Sequence, residues 1–237
     1  MNFISAMLWY VLNSLNFFSY EAEGIVLVSS FPIIYLAGIL LSFKLLKIKW
    51  FINNDKIRYS IVIQCIFLSV FLFIFQTLVD VPFWRNLVNG EFRFLAWEIP
   101  FQKGAYITVS TILSILVAPV LEEILFRYLI FNSLLKRYGF YFSMVATALL
   151  FSMMHLSMEG LFAYFLIGLV YNYIYYLTKS LWLIILVHII HNISASITKL
   201  EFYGVSDSPM ILGVIIYIAS AYGIILTIKK LRLLVKE

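Results

Sequence analysis

The sequence predicts an all-α membrane protein, a bundle of about eight transmembrane helices. Three observations predict this fold class. Hydrophobic residues make up 63% of the 237 residues and charged residues 12%, whereas soluble domains are roughly 45–50% apolar. The mean hydropathy is +0.99. The apolar residues are also gathered into long runs, with basic clusters between them.

Seven of these runs are long enough, or nearly so, to cross a bilayer core, which requires about 20 helical residues. They cover about 25–43, 60–81, 105–126, 140–156, 160–177, 181–198 and 211–228, and a weaker run covers about 3–18. Lys and Arg cluster on alternate loops, as the positive-inside rule describes. We therefore expect a multi-pass protein of the cell membrane, in contact with lipid. Residues 1–237 are interpreted as a single membrane domain whose motif-bearing core lies at about 105–198.

Charge and cysteine content exclude several classes of function. The net charge of +5 comes from short clusters between apolar runs, so we expect no nucleic-acid partner. The single cysteine, Cys65, excludes an intramolecular disulfide and a metal site made of cysteines.

Two adjacent carboxylates, Glu122 and Glu123, lie inside an apolar run. Ionisable groups at membrane depth cost a few kcal/mol each, which makes them candidate functional residues. Glu123 and Arg127 are four residues apart, so they can form an ion pair on one helix face and give structural support. Glu122 points elsewhere and is the candidate to take and return a proton. Pro119 is expected to kink this helix.

The histidines also lie in or beside apolar runs. His155 ends one run, and Phe151 lies one turn before it on the same face. His188 and Asn192 are four apart and share a face of another helix. His191 diverges from Asn192 by about 100° and is interpreted as structural. Polar groups that lipid cannot satisfy are expected to turn inward and converge.

Two kinds of chemistry fit such a cluster. A carboxylate beside a histidine can activate water, while histidine and asparagine side chains can donate to the oxyanion of a hydrolysed peptide bond. Alternatively, Glu122, His155 and His188 could hold zinc with an open water position. Rival interpretations are a non-catalytic membrane scaffold or regulator and a proton-coupled transporter. The sequence contains no HExxH motif and no glycine-rich phosphate loop.

The ordered motifs Glu122-Glu123-x-x-x-Arg127, Phe151-x-x-x-His155 and His188-x-x-x-Asn192 resemble those of the CPBP (Abi) family of CAAX prenyl proteases and bacteriocin-processing enzymes. The resemblance covers about 105–198. It implies an eight-helix membrane bundle and intramembrane endopeptidase activity. It further implies that Glu122 is the general base, His155 its partner, and His188 with Asn192 the oxyanion stabilisers. Members have also been described as metalloproteases.

The expected substrate is a membrane-associated peptide or a lipidated protein. Because the composition is compatible with a bacterial source, maturation of a bacteriocin or pheromone peptide, or self-immunity, is favoured over CAAX processing. The cofactor is either none or zinc. The preferred expectation is no tightly bound catalytic metal, because the carboxamide of Asn192 is a poor zinc ligand but a good oxyanion donor.

Overall fold

The structure, a computed structural model, describes residues 33, 35–41, 43–44, 57–76, 112–155, 160–197 and 208–236. Within this part of the chain every regular element is helical, which confirms the all-α class. Besides helical residues within 33–44, the elements are α1 (Tyr59–Phe75), π1 (Leu113–Val117), α2 (Ala118–Glu123), π2 (Ile124–Phe131), α3 (Asn132–Tyr138), α4 (Phe140–Met154), α5 (Leu161–Thr178), α6 (Leu181–Ile197) and α7 (Ser208–Lys236). The predicted run at 3–18 lies outside the described residues.

The chain divides into two compact units. The first contains Met1–Ile52 and Thr108–Asn172, and the second contains Asn53–Ile107 and Tyr173–Glu237. The described elements from π1 to α4, together with most of α5, belong to the first unit. The end of α5 and the helices α1, α6 and α7 belong to the second.

One continuous helical stretch, from 112 to 138, carries the paired glutamates. Its winding is not uniform, because the π-helical segments π1 and π2 lie on either side of the short helix α2. Pro119 occupies the first turn of α2, where its missing N–H and its ring disturb the bonds to the preceding turn. The structure thus has π winding on both sides of α2, where the sequence predicted a kink at Pro119. Such wide turns occur often at functional sites.

The stretch also extends beyond its predicted end at 126, because Arg127 is buried inside the protein and does not mark a membrane boundary. It ends at Gly139, whose φ of +78° lies in a region that residues with a Cβ rarely adopt. This residue alone separates α3 from α4. Lys136 and Arg137 lie exposed in the last turn of α3, where positive charge complements the helix dipole.

Helix α4 has buried hydroxyl side chains and an exposed surface that is largely apolar. Ser143, Thr147 and Ser152 are buried, whereas large apolar side chains such as Tyr141 and Met153 are exposed. Exposed apolar surface of this extent is unfavourable in water but is the normal surface of a helix in lipid. The distribution supports the predicted membrane location.

Helices α4 and α5 approach each other closely. A Cβ placed on Gly168 of α5 would lie 3.0 Å from Cα and 3.1 Å from Cβ of Ala148. One turn further along α5, Asn172 donates from Nδ2 to the carbonyl of Met144 at 3.0 Å. Small residues and interhelical hydrogen bonds are common means of helix association in membranes. Together these contacts fix the register of the two helices.

We expect Gly168→Ala to lower the thermal stability of the protein, since the new methyl group must push against the backbone of α4. Overpacking of this kind costs about 1–3 kcal/mol. Gly38→Ala is the matched control, because nothing lies within 4 Å of its added Cβ. Thermal unfolding in detergent, followed by circular dichroism, measures the difference. Equal midpoints for the two variants would contradict the close α4–α5 packing.

In the second unit, α1 buries one stripe of its surface. Its buried residues recur once per helical turn, singly or as adjacent pairs: Ile61, Gln64, Cys65, Leu68, Ser69 and Leu72. Ser69 donates from its hydroxyl to the carbonyl of Val187 on α6, at 3.3 Å. Helix α7 also packs on α1, where the rings of Phe75 and Tyr217 have centroids 5.1 Å apart. The stripe thus places α1 against both α6 and α7.

Of the described helices, α5 is long and apolar enough to cross a bilayer by itself. Three shorter apolar helices have 10–17 residues: Tyr59–Phe75, Phe140–Met154 and Leu181–Ala195. These four helices coincide closely with predicted runs. Helix α7 continues beyond the predicted end at 228 through the basic tail, because Lys and Arg are good helix formers and nothing in that segment breaks the helix.

Candidate functional site

The first motif forms the ion pair that its spacing predicts. Arg127 donates from Nη1 to Oε1 of Glu123 at 3.1 Å, and its Nε lies 3.0 Å from Oε2. The second contact is an ion pair whose angle is too poor for a hydrogen bond. Both side chains are completely buried. Each charge therefore depends on the other for its neutralisation.

Aromatic rings surround the rest of the guanidinium group. Its central carbon lies 4.5 Å from the ring centroid of Phe151, 5.3 Å from that of Tyr171 and 5.9 Å from that of Phe126. Among the described residues Nη2 has no hydrogen-bond partner. The negative faces of aromatic rings attract such a cation, and more strongly when water is excluded. Phe151, from the second motif, thus contacts Arg127 from the first.

We expect Glu123→Gln to destabilise the protein strongly, because it leaves the Arg127 charge buried without its carboxylate. Breaking a buried pair in this way costs about 3–5 kcal/mol. The double variant Glu123→Gln/Arg127→Met removes both charges and should recover most of the lost stability. Unfolding in detergent with increasing denaturant measures all three proteins. If Glu123→Gln unfolds like the wild type, the pair does not have this structural role.

Glu122 is also buried, with 7% of its surface exposed. Its carboxylate interacts electrostatically with the phenol groups of Tyr35 and Tyr164. Arg127 interacts with both carboxylates, with Glu123 more strongly than with Glu122. Glu122 thus interacts with the same cation that is paired with Glu123. The reason is that charges inside a protein are poorly screened and act over longer distances.

His155, which follows the last residue of α4, is restrained on three sides. Its Nδ1 lies 2.8 Å from the carbonyl oxygen of Phe151, and its ring meets the Phe151 ring in a T-shaped contact with centroids 4.7 Å apart. Its face stacks on Tyr164, at 4.0 Å and 21°. A carbonyl oxygen only accepts, so Nδ1 carries the proton. In the neutral ring, Nε2 is then the acceptor.

The third motif lies on α6 in the second unit. His188 is buried and Asn192 is half-buried. His191 is buried too, and its Nε2 donates to Oε1 of Gln76 at 2.8 Å. The Phe73 ring makes an edge contact with the His191 ring, with centroids 6.0 Å apart. These contacts with the end of α1 are those expected of a structural histidine.

The three candidate zinc ligands do not all lie in one unit. Of the three residues considered for zinc, Glu122 and His155 belong to this unit and His188 to the second. Within the described part of the first unit, no three His, Cys, Asp or Glu side chains form a group that could hold a metal ion. The His155 ring itself has the arrangement usual in metal ligands, since Nδ1–H donates to a carbonyl and Nε2 accepts.

The structure thus brings together Glu122, Glu123, Arg127 and His155 within one unit, and it adds aromatic residues that the motifs do not contain. Sequence reasoning missed the tyrosines at 35, 164 and 171. One signal could have found the second of them: Tyr164, Gly168 and Asn172 are spaced four apart, as residues on one face of α5 must be. Convergence of this cluster with His188 and Asn192 stays a prediction.

Comparisons with known proteins agree with the three motifs. A family model described as type II CAAX prenyl endopeptidase Rce1-like matches residues 103–194. A protein of Bacillus subtilis (strain 168), named "Putative membrane peptidase YdiL", is 32% identical over 95 residues. The match covers 40% of this chain and 39% of that protein. No solved structure matches. The matched residues, 103–194, are thus similar to this family of endopeptidases and hold all three motifs, and the chain spans 39% of the length of the relative.

Proposed function

We propose that this protein is a multi-pass membrane endopeptidase that hydrolyses a peptide bond in a membrane-associated peptide or a lipidated protein. The observation that carries the proposal is the group of side chains around Tyr164 in the first unit. There Glu122 interacts electrostatically with Tyr164, and His155 stacks on the ring of the same tyrosine. A buried carboxylate and a half-buried imidazole thus both interact with one side chain.

In the proposed mechanism, Glu122 is the general base. Its carboxylate takes a proton from a water molecule while the water oxygen attacks the carbonyl carbon of the scissile bond. His155 orients the water or the carboxylate through the unprotonated Nε2. When the carbon–nitrogen bond breaks, the proton held by Glu122 passes to the departing amine. The products are a free carboxylate and a free amine.

His188 and Asn192 are proposed to donate hydrogen bonds to the oxyanion that forms at the attacked carbonyl. A helical spacing of four residues directs both side chains to one side of α6. Donors fixed in advance towards a developing negative charge are commonly a large source of rate acceleration. This role requires that the pair reach the same scissile peptide bond whose attacking water gives its proton to Glu122.

For the substrate, we propose a bacterial peptide, matured or inactivated at the membrane, in preference to a prenylated CAAX protein. The test uses purified protein in liposomes and two versions of one hydrophobic peptide, with and without a farnesylated C-terminal cysteine. We expect mass spectrometry to show cleavage of the version without farnesyl. Cleavage of the farnesylated version alone would favour CAAX processing, and cleavage of neither, across a peptide library, would contradict a peptidase.

Metal dependence can be tested on the same preparation. We expect cleavage to continue after extensive chelation, and elemental analysis to find far less than one metal ion per chain. The alternative site, made of Glu122, His155 and His188, would lose its metal at low pH as the ligands become protonated. Stoichiometric zinc in an active preparation, removed by chelation together with the activity, would show that this expectation is wrong.

A further inference from the structure

We propose that Tyr164 is a positioning residue of this site, whose flat ring holds the imidazole of His155 in one orientation and one tautomer. The inference rests on the proposed peptidase function, and it extends that function to a residue outside the three motifs. Tyr164 is not assigned to catalysis itself, because it acts through the histidine.

The geometry of the stack carries the proposal. The centroids of the two rings are 4.0 Å apart and their planes differ by 21°, which brings the faces into direct contact. The hydrogen bond from Nδ1 to the Phe151 carbonyl, at 2.8 Å, holds one edge of the imidazole, so the plane of the ring can still tilt about that bond. A face held against a second flat ring restricts this tilt. Nε2 is then kept in a fixed direction.

The position of Tyr164 is itself determined by the packing of α5 on α4. Gly168, one turn further along α5, contacts Ala148, and Asn172, another turn further, bonds to Met144. These contacts pair the two helices in antiparallel order, so the start of α5 lies beside the end of α4. The register of α5 against α4 therefore places Tyr164 beside His155.

The hydroxyl end of the same residue interacts with the candidate base. Glu122 and Tyr164 interact electrostatically, so the tyrosine interacts with both the histidine and the candidate base. A residue that served for packing alone would need only its volume, whereas a positioning residue needs its flat face. Phenylalanine keeps the face, and leucine or methionine does not.

The experiment compares Tyr164→Phe, Tyr164→Leu and Tyr164→Met, with Tyr176→Leu on the same helix as the control. The first readout is nitrogen NMR of the protein labelled with ¹⁵N-histidine in detergent. The chain has three histidines, so the His155 signals can be assigned with a His155→Gln variant. We expect one tautomer with the proton on Nδ1 in the wild type and in Tyr164→Phe, and a mixture of tautomers in Tyr164→Leu and Tyr164→Met.

The second readout is the rate of peptide cleavage. We expect kcat to fall about tenfold or more in the leucine and methionine variants, with KM changed by less than about twofold, because misplacing a catalytic group affects the reaction step. Tyr164→Phe should keep kcat within about threefold of the wild type. If Tyr164→Leu does not fold, Tyr164→Met supplies the measurement without an aromatic ring. Unchanged tautomer and kcat in the variants without a ring would overturn the proposal.

The two readouts separate this inference from the proposed function. If the wild type cleaves no peptide but the tautomer of His155 depends on the ring of Tyr164, the positioning role stands and the peptidase proposal fails. If the wild type cleaves and the tautomer ignores the ring, the reverse holds.

Discussion

Glu122→Gln is expected to abolish peptide cleavage while the protein folds and unfolds like the wild type. The amide has nearly the same shape as the carboxylate but cannot take a proton from water. Since general acid–base catalysis contributes about 10²–10⁴-fold and the remaining steps depend on it here, cleavage should fall below detection. Unlike Glu123, which forms two contacts with Arg127, Glu122 can lose its charge without leaving the guanidinium unpaired.

Cleavage rate and unfolding midpoint must therefore be measured on the same samples. The matched comparison is Glu123→Gln, one residue further on, for which a large loss of stability is expected. Glu122→Asp is a second useful variant, because it retains a carboxylate but withdraws it by one methylene. Full activity in Glu122→Gln would remove the proposed mechanism. A loss of activity that merely follows a loss of folded protein would show that Glu122 has a structural role.

Removal of either proposed oxyanion donor should produce the second largest effect. We expect His188→Ala and Asn192→Ala each to lower the cleavage rate by at least about 10²-fold, the usual scale for loss of one such donor. The double variant should lose less than the product of the two single effects, because groups acting on one charge are not additive. Single-turnover kinetics with saturating protein would measure the reaction step directly.

His191→Ala is the matched control for these variants. His191 donates to Gln76 at the end of α1, so its removal should lower the unfolding midpoint and leave most of the cleavage rate in the folded fraction. The opposite result, an inactive His191→Ala and a normal His188→Ala, would show that the face of α6 has been assigned incorrectly.

Spacing within one helix was sufficient to predict the contacts that lie one turn apart. Glu123 and Arg127 form the expected ion pair, and Phe151 and His155 are in ring contact. Such contacts follow from helix geometry alone, which is the same for any sequence. The apolar runs also predicted α4, α5 and α6 to within a few residues, because hydrophobic length and the turns between helices mark their ends.

Contacts between helices could not be predicted in this way. The stack of Tyr164 on His155 depends on the register of α5 against α4, which Gly168 and Asn172 determine only once the two helices are known to be neighbours. The π winding around Glu122 and Glu123 was predicted only as a kink at Pro119. The helix propensity of a residue tells how readily it enters a helix, and it does not distinguish an α-helical turn from a π-helical one.

The division of the chain into two units has a consequence for biosynthesis. The segment Met1–Ile52 and the segment Thr108–Asn172 make up one unit, although the ribosome produces Asn53–Ile107 of the other unit between them. Tyr35 is thus synthesised well before Glu122, with which it interacts electrostatically. The first unit can therefore be completed only after the intervening segment of the second unit has been translated.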